Sequence, residues 1–147
     1  MVWKPHVTVA AVIEQHGKFL LVEEHTSEGV LFNQPAGHLE PGESLLDAVI
    51  RETLEESAYH FLPTALVGIY QWHQPLHDRT YLRFAYTGEI TGHDAERTLD
   101  TGIIRALWLT PEEISAQIQL HRSPLVMDSL QDYMRGARFP LNVVTTY

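Results

Sequence analysis

With 147 residues, 44% of them hydrophobic and 20% charged, the chain has the length and mix of one globular domain, and the lack of cysteine excludes disulfides, thiolate metal sites and cysteine nucleophiles. Nineteen acidic residues against ten basic ones leave a formal charge of −9, which argues against a sequence-independent grip on nucleic-acid polymers, since that grip needs Lys and Arg on phosphates. No apolar run is long enough to span a bilayer and the first residues do not resemble a secretory signal, so a cytoplasmic protein without a membrane partner is expected.

In chain order, Val7–Ile13 and Phe19–Glu24 read as strands, with Gln15-His16-Gly17-Lys18 between them as a hairpin connection. A polar loop near Ser27-Glu28-Gly29 precedes a short strand over Leu31–Gln34, and Pro35-Ala36-Gly37 and Pro41-Gly42 mark turns. A helix is expected from Leu45 to Glu56. Ser44 suits its N-cap, and Asp47 three residues on suits a capping box. Leu46, Ile50, Thr53 and Leu54 share one side of that helix and are expected to face a sheet. Leu66–Trp72, Tyr81–Glu89 and Ile104–Leu109 follow as strands rich in aromatic and β-branched residues. Thr110-Pro111-Glu112-Glu113 is a capped helix start, Ser123-Pro124 opens another helix, and Gly136 suits its end. The order β–β–β–α–β–β–β–α–α predicts an α/β fold of the α+β type, a mixed sheet sandwiched between helices, in one domain over residues 1–147.

The chemistry concentrates in the helix after Gly42. At about 100° per residue, Glu52, Glu55 and Glu56 stand at i, i+3 and i+4 and project from one flank. Like charges at that spacing repel, and the C-terminal end of a helix already disfavours negative charge. A bound cation reverses both penalties. Oxygen ligands alone suit magnesium or manganese rather than zinc. An acidic triplet on a helix is more often a solvated face, so the surrounding spacing has to decide.

That spacing is specific. Gly37, Glu43, Arg51, Glu52, Glu55 and Glu56 match the Nudix box, which runs Gly, five residues, Glu, seven residues, then Arg-Glu-aliphatic-any-Glu-Glu-any-Gly-aliphatic. Thr53 replaces the aliphatic residue and Ala58 the glycine; if that position needs a left-handed backbone, alanine strains the helix exit by about 1 kcal/mol. Lys4–Ala10, Asn33–Glu40, Gln71-Trp72, Leu82–Phe84 and Arg122–Val126 also look like a bacterial phosphatase branch of the Nudix family.

The resemblance implies that Glu52, Glu55 and Glu56, with the main-chain carbonyl of Ala36, hold one to three magnesium ions (manganese as a substitute). It implies that Arg51 pairs with Glu43 and orients the metal-binding carboxylates. Glu52 or Glu55 would take the proton of the attacking water, and a loop carboxylate, Asp100 or Glu96, is a further candidate. Arg83, Gln34 and His38 are assigned to a small-molecule diphosphate substrate, and Trp72, Phe32 and Tyr81 can stack on a ring or belong to the core. The branch implies nucleoside di- and triphosphates and the pyrophosphate esters of thiamine metabolism. His73 and His77 are four apart, but Pro75 between them disrupts the helix that spacing needs, so no histidine is assigned to metal. The rivals are a non-catalytic nucleotide-binding or regulatory module on the same fold and a calcium-stabilised domain. No EF-type loop supports the second.

Overall fold

The computed structural model describes all 147 residues. Alternating apolar residues carry the chain through β1 (His6–Val12), β2 (Glu14–Gln15), β3 (Lys18–Thr26), β4 (Gly29–Asn33) and β5 (Ala36–His38) before the first helix, α1 (Leu45–Ser57). After it come β6 (Tyr59–Gln74), β7 (Arg79–His93), β8 (Ile103–Leu109), α2 (Pro111–Ala116) and α3 (Leu125–Met134). Short 3-10 turns occupy Ile118–Leu120 and Leu141–Val143. No helix is long and apolar enough to cross a membrane.

The fold class holds, but the strands form two sheets rather than one. The first runs β5–β1–β7–β6, with β1 and β7 parallel; the second runs β2–β3–β4, with β8 on β3. Pleating sends alternate residues of β1 to opposite sides. Val9 and Ala11 join a core with Ala48 and Val49 of α1, while Val12 joins a core with Val126 and Leu130 of α3.

Strand β6 starts at Tyr59, seven residues before the strand expected at Leu66, because Pro63 masks the β pattern there; Gly68 interrupts it further on. Bulges accommodate both stretches, and the strand is an edge of its sheet, where a proline's missing N–H is tolerated. Strands β6 and β7 form a long ribbon, registered from Tyr59 opposite His93 to Gln74 opposite Arg79.

Helix α1 is rolled relative to the expected side. Its fully buried residues are Ala48, Val49, Thr53 and Ser57, while Leu46, Ile50 and Leu54 are only partly covered. The small residues let the helix lie close to the sheet, and their hydroxyls are satisfied inside it. Thr53 Oγ1 donates to the Val49 carbonyl at 2.7 Å, and Ser57 Oγ to the Thr53 carbonyl at 2.5 Å. Thr53 therefore fits a position where the box pattern has an aliphatic residue. Ser44 Oγ accepts from the Asp47 amide at 3.0 Å, half of the expected capping box, whereas Thr110 and Glu113 form both halves of theirs. Helix α1 ends at Ala58, which takes the left-handed backbone (φ 64°) that its position requires.

Candidate active site

The roll of α1 turns Glu52 and Glu56 toward β5 and leaves Glu55 further out. The Glu52 carboxylate lies directly on Gly37, where a Cβ would sit 2.0 Å from its carboxyl carbon; any side chain there would displace it. Glu56 turns inward, and its Oε1 accepts from the Ala36 amide at 2.9 Å. Burial and the neighbouring carboxylates push the Glu56 carboxyl up to about 9. Burial also raises Glu52 and Glu55, and Asp100 adds repulsion to the latter.

Arg51 holds this acidic ridge together. Its Nε donates to Glu43 Oε2 at 2.7 Å and its Nη2 to Glu43 Oε1 at 3.0 Å, a two-point grip. Its Nη1 reaches Glu52 at 2.7 Å and Glu55 at 3.3 Å, and Nη2 also donates to the His38 carbonyl at 3.0 Å. The paired guanidinium holds the Glu43 carboxyl below its usual range. Glu40 also lies 3.6 Å from Arg51, a contact that the sequence reading missed.

The loop after β7 supplies a third carboxylate. It folds back on the exit of α1 through the Asp94 amide on the Ala58 carbonyl (2.9 Å) and the Asp100 amide on the Glu55 carbonyl (3.0 Å). Glu52, Glu55 and Asp100 each offer an oxygen within 4.8 Å of the others, close enough to hold one cation. Of the two loop candidates, Asp100 joins the box glutamates, and Glu96 stands exposed outside the group. Glu56 is also outside it, engaged with Ala36.

Beside this ridge lies a cleft of about 1030 Å³, walled by Ala36, Gly37 and His38 of β5, the β6–β7 ribbon, and the segment from Ser115 to Gln131. His38 is exposed on its wall, and burial by its surroundings, then His6, lowers its basicity. Arg83 is only 4% exposed, with no carboxylate in ion-pair range. Its Nη2 donates to Asn33 Oδ1 at 2.9 Å and Nη1 has no protein partner; burial lowers its pKa to about 10. Arg83 therefore takes no part in a surface salt bridge. Gln34 is buried off the cleft wall, and its Nε2 donates to the Val126 carbonyl at 2.9 Å, which ties α3 to the segment after β4. Trp72 and Tyr81 stack at 5.8 Å on the cleft wall, whereas Phe32 is core. His73 and His77 do not approach one another as ligands: they pair with Asp78 and Glu28. Gln74, Arg79, His121 and Arg122 also line the cleft; Arg122 lies in a stretch that carries the family resemblance, whereas the other three, isolated polar residues in strands and loops, carry no signal in the sequence.

An acidic ridge at the end of one helix, braced by an arginine and set against a glycine strand beside a deep cleft, defines a hydrolase of phosphoric anhydrides of the Nudix class. The NUDIX domain family matches residues 3–128, and the chain belongs to it. It is 41% identical to Phosphatase NudJ from Escherichia coli (strain K12), over 97% of this chain and 92% of that one. The same figures hold for Phosphatase NudJ from Shigella flexneri. A solved NUDIX hydrolase from Nitrosomonas europaea is 52% identical and superposes with a TM-score of 0.96 over 98% of both chains.

Proposed function

We propose that this hydrolase is magnesium-dependent and acts on nucleoside di- and triphosphates and related organic diphosphates, including thiamine pyrophosphate or its pyrimidine pyrophosphate precursor, with water attacking a phosphorus of the diphosphate linkage. The observation that carries this reading is the convergence of Glu52, Glu55 and Asp100 beside Gly37, at the wall of a cleft large enough for a nucleotide. An all-oxygen set fits magnesium or manganese, and Glu56 and the Ala36 carbonyl would be further oxygen ligands for it. When bound, such a cation would neutralise charge on the phosphate oxygens and lower the pKa of a water molecule.

The chain's own groups do the rest. Arg51, fixed by Glu43, keeps the Glu52 and Glu55 carboxylates oriented. Glu52 or Glu55, whose proton affinity burial has raised, accepts the proton of the attacking water. Arg83 and His38 meet the substrate from the cleft wall.

The test is phosphate or pyrophosphate release from nucleoside di- and triphosphates, thiamine pyrophosphate, ADP-ribose and a dinucleoside tetraphosphate, with and without chelator. Chelator-sensitive turnover is expected, reduced at least about 100-fold in Glu52→Gln. Turnover that survives both chelator and Glu52→Gln would overturn the reading.

A further inference from the structure

Four buried side-chain polar atoms have no partner in the protein: Gln34 Oε1, Gln74 Oε1, Arg83 Nη1 and His121 Nδ1. The last three belong to residues that line the cleft. Buried polar groups are nearly always paired in folded proteins, so three such atoms around one cavity point to a ligand as the missing partner.

Their arrangement follows from strand register. Residues directly opposite on an antiparallel ribbon share a face, and so do alternate residues along each strand. Tyr70 opposite Arg83, Trp72 opposite Tyr81 and Gln74 opposite Arg79 thus lie on one face of the β6–β7 ribbon. Arg83 is at one end of this platform, the Trp72–Tyr81 stack is in the middle, and Gln74 is toward the hairpin tip. His121 comes from the other wall, between the 3-10 turn and α3. Its Nε2 is 2.8 Å from the Ile114 carbonyl, which fixes the ring proton there and leaves Nδ1 an acceptor in the neutral ring. The wall therefore offers a flat aromatic surface, one cationic donor and an acceptor of fixed polarity, with Gln74 able to present either end of its amide.

We infer that this platform is a head-group site that reads a planar nitrogen heterocycle carrying an exocyclic amine: Trp72 stacks on the ring, Arg83 Nη1 donates to a ring nitrogen, carbonyl or adjoining phosphate oxygen, and His121 Nδ1 accepts from the amine. The inference rests on the diphosphate-hydrolase reading for the reaction and adds the specificity residues of that site. A uracil-type ring, with a carbonyl in place of the amine, faces His121 acceptor to acceptor and is disfavoured.

The experiment compares cytidine triphosphate, uridine triphosphate and inorganic tripolyphosphate as substrates of the wild type, Trp72→Leu and His121→Phe, each checked for an unchanged melting profile. It also follows quenching of tryptophan fluorescence by cytidine monophosphate. The wild type should favour the cytidine compound over tripolyphosphate in kcat/KM. Trp72→Leu should cut that ratio at least about tenfold, mainly through KM, and remove most of the quenching. His121→Phe should reduce the preference for cytidine over uridine. Folded variants that keep both ratios would overturn the inference. If no anhydride is hydrolysed but cytidine monophosphate quenches the wild type and not Trp72→Leu, the hydrolase reading fails and the head-group site stands; neither turnover nor quenching overturns both.

Discussion

Arg51 stands among Glu40, Glu43, Glu52 and Glu55, and the two-point grip on Glu43 leaves its third nitrogen to serve the other carboxylates. Without that cation the ridge would repel itself apart; with it, the carboxylates are pre-positioned before any metal arrives. Glu56 is the residue this bracing does not reach, and burial holds its carboxyl up near 9. Its folded pKa exceeds the unfolded one of 4.5, so between about 4.5 and about 9 the folded state alone binds the proton. The stability contributed by the protonated group is complete below that window and is lost as pH rises through it. Melting temperatures of the chelated protein should therefore fall from about pH 5 to about pH 9, and Glu56→Gln should flatten the slope. An unchanged slope in Glu56→Gln would assign the effect to other groups.

At the scale of elements, α1 carries a trade between stability and chemistry. Three glutamates crowd its C-terminal end with no basic residue in the last turn, and Ala58 adopts a conformation made for glycine. Releasing a left-handed alanine is worth about 1–2 kcal/mol, against about 0.8 kcal/mol for the buried methyl it would lose. Ala58→Gly is expected to stabilise the protein by up to about 1 kcal/mol without touching a carboxylate, a change that denaturant melts resolve. A destabilised variant would mean that packing of the methyl outweighs the backbone strain.

For the whole molecule, the cleft is a product of two walls that are distant in sequence. The β6–β7 ribbon supplies one and the segment after α2 the other, and His77 on Glu28 at 3.0 Å joins the tips of the two hairpins that rim it. Because the proposed cation takes carboxylates from α1 and from the loop after β7, it should bind the folded state alone. Magnesium at about 100 times its dissociation constant would then add about 2.7 kcal/mol, or roughly 5–10 °C in melting temperature. Thermal melts with and without magnesium check this; no shift would remove Glu52, Glu55 and Asp100 as a cation site.

The amino-acid sequence by itself determined the box and the shared flank of its carboxylates, because that flank follows directly from helical periodicity and the spacing of Glu52, Glu55 and Glu56. It also determined most elements through strand alternation and capping residues, and it flagged Ala58 as strained. It did not show the roll of α1, since hydroxyls of Thr53 and Ser57 that bond within the helix look polar in sequence but bury like small apolar groups. Nor did it separate Asp100 from Glu96, or Arg83 from Gln34. Which loop carboxylate folds back on α1, which polar residue ends in the cleft and which ties α3 down depend on contacts between segments far apart along the chain. Only the tertiary structure, through strand register and the packing of two sheets on three helices, decided them.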